Sequence, residues 1–223
     1  MSISIIIPVY NEELCVESCL RDTRRVFAHV DHEIIVVNDG STDGSHEVIT
    51  RLKDGNNRIK YVIYEENRGY SHAIRQGILL AEKEYTSYLD ADLQYPPEEL
   101  RRMYEYALRN QKMFVLGHPL QKYYRPTRRF ISFVYNLLVN KLLKLDVSDA
   151  NSLKLIKTGT LKQLDLKGNY GAIELEVLLG VVKRSIPIVL FPIRVQERIA
   201  GKSKANLRLV FSTFRSILGL RRA

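Results

Sequence analysis

The first hundred residues repeat one unit: a short apolar run, a polar turn, then a segment of helical periodicity. SISIIIPVY (2–10) reads as a buried strand ended by Pro8, and NEELCVESCLRDTRRVF (11–27) has helical spacing with acids in its first turn. HEIIVVNDG (32–40) is a second strand and STDGSHEVITRL (41–52) opens a second helix. RIKYVIYEE (58–66) with NRGYSHAIRQGILLAEK (67–83) makes a third unit, and YTSYLDAD (85–92) a fourth strand. Strand-helix units in succession need crossover connections, and right-handed crossovers lay the strands parallel in a three-layer α/β/α sheet. After residue 115 the alternation loosens. MFVLGH (113–118), SLKLIK (152–157) and IPIVLFPIRVQE (186–197) read as further strands, and 172–183 as a helix. With no repeat, low-complexity tract or linker, residues 1–223 read as one domain of two halves, 1–115 and 116–223.

Polar residues gather where these strands end. PVYNEE (8–13), NDGSTDGS (38–45), ENRGYSHA (66–73) and LDADLQ (89–94) would lie along one edge of the sheet, where open α/β folds bind ligands. Asp39 could accept hydrogen bonds from a base or ribose while Gly40 permits close approach of a ligand; turn and helix-cap chemistry is the alternative for the same residues. In an extended segment Asp90 and Asp92 point the same way, and Gln94 adds a neutral oxygen. Such hard donors suit Mg²⁺ or Mn²⁺, and no His or Cys stands nearby to suggest zinc. A solvated acidic turn is the other reading. Pro96-Pro97 stop the strand, and Glu98-Glu99 begin a helix. No G-x-G-x-x-G and no G-x-x-x-x-G-K-[ST] is present, which argues against a dinucleotide fold and a P-loop.

A formal charge of +9, from 34 Lys and Arg against 25 Asp and Glu, predicts an anionic partner. Nucleic acid accounts for the charge alone, and no reading motif accompanies it. Two stretches add an apolar stripe to the charge. Phe130, Phe133, Val134, Leu137, Leu138, Leu142 and Leu145 recur at helical spacing within 128–145, near Arg128, Arg129, Lys141 and Lys144. Within 205–223, Leu207, Val210, Phe211, Phe214, Ile217 and Leu218 do the same among arginines. Basic amphipathic helices lie in lipid headgroup regions; packing on the domain's own core or on a second subunit is the alternative. No apolar run reaches the ~18 residues of a spanning helix and no cleavable leader opens the chain, so a cytoplasmic protein, peripheral on the cytoplasmic face of a membrane, is expected. Cys15 and Cys19, one helical turn apart, are expected to be reduced packing residues.

PVYNEE, VVNDGSTDGS, NRGYSHAIRQGI and DADLQYPPEEL, in that order, resemble the successive signatures of glycosyltransferase family 2. The resemblance implies the GT-A fold and a nucleotide-sugar donor, with 1–115 as the donor half and 116–223 as the acceptor half. It implies that Pro8, Tyr10, Glu12 and Asp39 contact the nucleoside, that Asp90 lies by the ribose or diphosphate, and that Asp92 and Gln94, with Asp90, hold Mg²⁺ or Mn²⁺. Gln94 followed by Tyr95-Pro96-Pro97-Glu98 is similar to the dolichyl- or polyprenyl-phosphate mannose synthase branch. There the segment 128–157 would bring Arg128 and Arg129 to the acceptor, although Ser152-Leu153 stands where that branch often has Gly-Phe. IRVQERIAGKSKANL (193–207) resembles the branch's loop, placing Arg198, Gly201, Ser203 and Lys204 over the diphosphate or acceptor phosphate.

The implied reaction is metal-assisted glycosyl transfer with inversion, from GDP-mannose or a UDP-sugar to a polyprenyl or dolichyl phosphate, with Asp92, Arg198 and Lys204 as the catalytic set. An acceptor phosphate is already anionic and needs no strong base; a hydroxyl acceptor would need one, and Glu174 or Glu176 is where it is expected, unless both serve the helix dipole. A soluble family member acting on a saccharide or small-molecule hydroxyl, and a non-catalytic nucleotide-sugar binder or membrane scaffold, are the alternatives.

Overall fold

The strand that opens the chain lies at the heart of the sheet and organises everything around it. The computed structural model describes residues 1–55, 57–121, 126–167 and 173–197, with the side chains of 126–128 and 142 left aside. Along the chain come β1 (Ser2–Val9), α1 (Glu13–Val26), β2 (Asp31–Asp39), α2 (Ser45–Lys53), β3 (Ile59–Tyr64), α3 (Tyr70–Leu80) and β4 (Tyr85–Tyr88). They are followed by α4 (Pro97–Arg109), β5 (Phe114–Pro119), α5 (Pro126–Leu143), β6 (Lys154–Lys157), α6 (Thr158–Lys162), α7 (Ile173–Lys183) and β7 (Val189–Ile193).

Among the described residues the strands form one sheet in the order β3-β2-β1-β4-β6-β5-β7. β1 pairs in parallel with β2 and β4, as do β2 with β3 and β5 with β7. β6 runs antiparallel to both its neighbours, β4 and β5. The chain moves outward from β1 to β2 and β3, then returns to the other side of β1 for β4. That reversal opens a crevice between the carboxyl ends of β1 and β4, the place where open α/β sheets accept ligands.

Strand alternation sorts the core into two layers. Ile3, Ile5 and Ile7 of β1 join Ile34 and Val36 of β2 beneath Val16 and Leu20 of α1, Ile49 of α2 and Met103 of α4. Ile6, Ile35 and Val37 face the opposite way, onto Ile74 and Ile78 of α3, Tyr135 and Val139 of α5 and Leu178 of α7. All but Tyr135 of these residues are at most 3% exposed. The result is the expected three-layer α/β/α architecture. Gly77 permits the close seating of α3 on β1, since a Cβ there would fall 2.3 Å from Ile6 Cγ2.

Several local expectations are revised. Pro8 does not end β1, which continues to Val9 in register with Val37 and Asn38 of β2. Leu89 N–H donates to the Ile6 carbonyl at 2.9 Å, so even-numbered residues of β1 face β4. β4 has ended by then, and the N–H that Pro8 lacks falls where no strand waits for it. The stripe read along α5 is not its core-facing side. Tyr135, Val139 and Leu143 are buried, whereas Phe130, Phe133 and Leu137 are 68%, 64% and 55% exposed. Packing against the domain's own core is therefore excluded for those three. No helix among the described residues is long and apolar enough to cross a membrane. The stripe at 205–223 lies outside the described residues. Cys15 and Cys19 are buried and outside any disulfide, as expected.

Candidate active site

The crevice between β1 and β4 is a cavity of about 550 Å³ whose walls come from four strand ends. Pro8 and Val9 end β1 and Tyr10 and Glu12 follow it, Asp39 ends β2, Asn67, Gly69, Tyr70 and Ala73 lead into and line α3, and Asp90, Ala91 and Asp92 follow β4. Six residues singled out from sequence for donor contact, Pro8, Tyr10, Glu12, Asp39, Asp90 and Asp92, thus meet in one cleft.

Much of the polar sequence around them holds the rim rather than facing the cleft. Asn11 N–H donates to Ser41 Oγ (3.0 Å), and Thr42 N–H returns the bond to Asn11 Oδ1 (2.8 Å). Glu13 N–H donates to Asp43 Oδ2 (3.2 Å), and Gly44 N–H to Glu13 Oε2 (3.1 Å). Glu12 N–H reaches Ser45 Oγ (3.0 Å), whose hydroxyl donates to Asp43. Burial opposes ionisation of Asp43, but the Ser45 hydroxyl and backbone N–H donors outweigh it and hold its carboxyl below the usual range. The turns after β1 and β2 are thereby stitched together. The turn-chemistry reading is right for Asn11, Ser41, Asp43 and Ser45. Tyr10, Glu12 and Asp39 still line the cavity.

Asp39, only 2% exposed, anchors the third wall. Its carboxylate accepts the Arg68 N–H at 3.1 Å and the Gly69 N–H at 2.6 Å, fixing the entry to α3, with His72 Nδ1 at 3.6 Å. Gly40 beside it has φ +74°, and a Cβ there would lie 2.6 Å from Asn67 N. The close approach that requires glycine is by the chain's own backbone.

The Asp90–Gln94 segment is a turn, not the extended run expected. Leu93 takes a left-handed φ of 57°, and its N–H folds back to the Asp90 carbonyl at 3.4 Å. Asp92, 6% exposed, accepts the Gln94 N–H on Oδ1 at 3.0 Å. Asp90 and Asp92 both reach the cavity wall; Gln94, half-buried, is not among its lining residues. The Gln94 carbonyl accepts the Gln196 N–H at 2.9 Å, tying this turn to the segment after β7. Among the described residues no three His, Cys, Asp or Glu gather as a complete metal cage. Two carboxylates in a lining without His or Cys fit a hard cation that completes its shell with ligand oxygens and water, while the Cys19 thiol approaches only the Asp90 carbonyl, at 3.9 Å.

Beneath the cleft lies a charged cluster of which sequence reading named only Glu174. Lys154, fully buried on β6, is ion-paired with Glu174 at the start of α7 and donates to the Ser152 carbonyl at 3.0 Å. Tyr88 Oη donates to Glu174 Oε2 at 2.8 Å, and Tyr70 Oη lies 3.4 Å from Oε1. Burial pushes both phenols well above their ordinary pKa. For Tyr70 the charges of Asp90 and Glu174 add to it, and for Tyr88 chiefly that of Glu174. The available signal was Lys154 itself, a cation alternating with leucines in a strand. Glu174 and Glu176 are 7% and 4% exposed.

A second hollow, of about 320 Å³, lies beside α5, lined by Arg129, Ser132, Phe133, Asn136, Leu137, Asn140, Val147 and Ser148. Asn140 clasps Val147 through both its amide atoms, and Asn136 Oδ1 accepts the Ala150 N–H at 2.8 Å, so α5 holds the following loop against itself. Arg129 lines this hollow and is not among the residues lining the strand-end cleft. The Arg128 side chain and Arg198, Gly201, Ser203 and Lys204 fall outside the described residues.

The family described as glycosyl transferase family 2 matches residues 4–153. An undecaprenyl-phosphate 4-deoxy-4-formamido-L-arabinose transferase of Pectobacterium carotovorum is 39% identical over 109 residues, 48% of this chain and 33% of that protein. The match thus spans about a third of that relative's length. A dolichol-phosphate mannosyltransferase of Mycosarcoma maydis is 27% identical over 99% of this chain and 79% of its own. Among solved structures, glucosyl-3-phosphoglycerate synthase of Mycobacterium tuberculosis, in complex with Mn²⁺, UDP and glucosyl-3-phosphoglycerate, superposes with a TM-score of 0.75 at 16% identity, covering 98% of this chain and 79% of that one. The same enzyme with Mg²⁺ and UDP gives 0.74 at 19% identity.

Proposed function

The chain belongs to glycosyltransferase family 2, whose match covers more than half of it, and from that premise we propose that it transfers a sugar from a nucleotide-sugar to a polyprenyl phosphate. The observation that carries the donor side is the cleft itself: Asp39 at one end, Asp90 and Asp92 at the other, across a cavity of about 550 Å³ that suits a nucleoside diphosphate. Tyr10 and Asp39 bind the nucleoside, and Glu12 and Pro8 close its wall. Asp90 and Asp92, with Gln94 next along the same turn, would hold Mg²⁺ or Mn²⁺. A cation so held would neutralise charge building on the leaving diphosphate. Solved structures of the M. tuberculosis synthase contain such a cation with UDP.

The transfer is an inverting displacement. An acceptor oxygen forms its bond to the anomeric carbon as the bond to the donor diphosphate breaks, and the electron pair leaves with the nucleoside diphosphate. A polyprenyl phosphate fits better than a hydroxyl acceptor because the latter needs a base with a free lone pair facing the cleft. Glu174 instead engages Lys154 and Tyr88, and Glu176 is buried. Relatives named for undecaprenyl-phosphate and dolichol-phosphate transfer support the same choice.

On the acceptor side, Arg129 and Ser132 beside α5 supply charge and hydroxyl for a phosphate, and Phe130, Phe133 and Leu137 meet the lipid. The resemblance adds Arg128, Arg198, Ser203 and Lys204 for the phosphates. The protein is then peripheral, on the cytoplasmic face. The test is a transfer assay over GDP-mannose, UDP-glucose and related donors with Mg²⁺ or Mn²⁺, with and without polyprenyl phosphate. Sugar appearing on the lipid is expected; transfer to a soluble hydroxyl acceptor with none to lipid phosphate would overturn the reading.

A further inference from the structure

We infer that a hollow at the opposite edge of the sheet from the strand-end cleft is a second anion site, built by Arg21, Arg24, Arg25 and Arg58 for a ligand that presents a phosphate dianion. It goes beyond the transfer reaction and uses none of the residues assigned to donor or acceptor. The hollow, of about 510 Å³, is lined by Arg21, Arg24, Arg25, Ala28, His32 and Arg58. It lies where β2 and β3 begin, whereas the cleft lies where strands end. α1 runs from the rim of the cleft, where Glu13 is stitched to Asp43, towards this hollow. Its 14 residues span about 20 Å, so the two sites are separate.

Helical spacing makes one wall. Arg21, Arg24 and Arg25 stand at i, i+3 and i+4 on one face of α1, and Ala28, about a turn further on, adds only a methyl. Arg58 joins them from the turn before β3. Its carbonyl accepts the Ile34 N–H at 2.8 Å, and its Nη1 lies 3.4 Å from the Ala28 carbonyl. His32, 3% exposed, lies beside it, with Nδ1 donating to the Val30 carbonyl at 2.9 Å. Like charges at these helical spacings destabilise a helix, so their gathering calls for a reason. The helix dipole accounts for Arg24 and Arg25 in the last turn of α1 but not for Arg58, which belongs to no helix.

Carboxylates at the margin orient these guanidiniums, and none of them lines the hollow. Glu17 accepts from Arg21 Nε at 2.9 Å and from Arg51 Nη2 at 2.6 Å. Arg25 Nη2 is shared between Asp22 at 3.1 Å and Glu98 at 2.8 Å. These bonds run through Nε and Nη2 and leave Nη1 of Arg21 and Arg25 for a ligand. Arg24 makes no ion pair among the described residues. Around the hollow the cations Arg21, Arg24, Arg25, Arg51, Arg58 and Lys83 stand against Glu17, Asp22, Asp31 and Glu98, an excess of two positive charges. A phosphate dianion would cancel that excess. Guanidinium forks already held in place bind phosphate oxygens in bidentate fashion with little further ordering. The same chemistry is offered by a soluble phosphate and by a lipid headgroup ending in a phosphate monoester.

The experiment measures pyrophosphate binding by calorimetry at low ionic strength, with EDTA present so that no metal carries the anion into the cleft, whose Glu12, Asp39, Asp90 and Asp92 repel it. Arg24→Ser with Arg58→Ser should weaken binding about tenfold or more while the melting temperature moves little. Arg109→Ser with Lys183→Ser, which removes two exposed cations elsewhere, should leave it unchanged. If the first pair unfolds the protein, Arg24→Ser alone, which breaks no ion pair, should still show a severalfold loss. A second arm floats the protein with phosphatidylcholine vesicles with and without phosphatidic acid. Flotation that depends on phosphatidic acid and falls in the Arg24 and Arg58 variant assigns the site to a lipid headgroup; pyrophosphate binding lost with flotation unchanged assigns it to a soluble phosphate. Mn²⁺-dependent UDP binding should be untouched by these substitutions, so the donor reading and this inference stand or fall apart. No wild-type binding in either arm, binding retained in the folded Arg24 and Arg58 variant, or an equal loss in the Arg109 and Lys183 control would each overturn the inference.

Discussion

Asp92 is buried and partly committed to the Gln94 N–H, yet it borders the cleft, so its charge is directed rather than solvated. Replacing it with Asn keeps the shape and removes the charge; metal-dependent turnover should fall by about two orders of magnitude or more while the melting temperature moves little. Glu33 is a carboxylate of another kind, far from the chemistry. It is 5% exposed and accepts from Ser4 Oγ (2.6 Å), the Glu82 N–H (2.7 Å) and Lys60 Nζ (2.8 Å). Burial alone would raise its pKa, but these donors outweigh it and hold the folded value below the ordinary 4.5. Its stabilising contribution is therefore complete above about pH 4.5 and is lost as pH falls through the lowered folded value. Melts between about pH 6 and pH 3 should show that acid loss, and Glu33→Gln should flatten it. At this scale the sequence was legible wherever a motif residue faces the cleft, as Tyr10, Asp39 and Asp92 do. It was silent about which motif residues are scaffold: Asn11 and Asp43 make bonds across some thirty residues, a pairing that exists only once β1 and β2 lie side by side.

The elements of the first half were readable because each carries its own period. β1, β2 and α1 to α4 follow the hydrophobic pattern with boundary shifts of a few residues. The turn after β4 was misjudged and the partner of the α5 stripe was left open, both for physical reasons. The turn after β4 looked like more strand because alternation of Asp90, Asp92 and Gln94 is indistinguishable in sequence from the same residues folded at Leu93. The apolar side of α5 looked like a core stripe or lipid stripe equally, since hydrophobicity does not name its partner; the buried side instead uses Tyr135 and Asn136, both polar-tipped. That division supports a test at the level of the helix. Phe130→Ser with Phe133→Ser and Leu137→Gln should leave stability within about 0.5 kcal/mol per exposed site, yet reduce flotation with anionic vesicles containing polyprenyl phosphate. A large drop in melting temperature would mean that this face is covered in the folded protein. Gly77→Ala tests the opposite case, a contact already full. The added methyl would meet Ile6 at 2.3 Å, so a loss of about 1–3 kcal/mol is expected, read as a lowered denaturation midpoint in urea.

Taken whole, the molecule joins its halves through a strand that runs against its neighbours. β6 enters between β4 and β5, pairing Tyr85 with Lys157 and Ser87 with Leu155, and so sets Lys154 beside the end of β4. No pattern before residue 115 announces this, because the order of strands in a sheet is decided by crossovers that local periodicity does not encode. Cys15 and Cys19 offer a global probe. Burial pushes the Cys19 thiol far above its ordinary pKa, so alkylation of both should be slow and should follow whole-molecule unfolding in denaturant. The placement of β6 also bears on how the protein can be divided. A piece ending near residue 115 would keep the four strand-end motifs yet leave the β4 flank as raw, unpaired backbone, inviting other chains to dock there. The half that looks self-sufficient in sequence is therefore not a transplantable module: cut there, it should be sticky and poorly formed, and only co-expression with the remainder should restore a well-behaved particle.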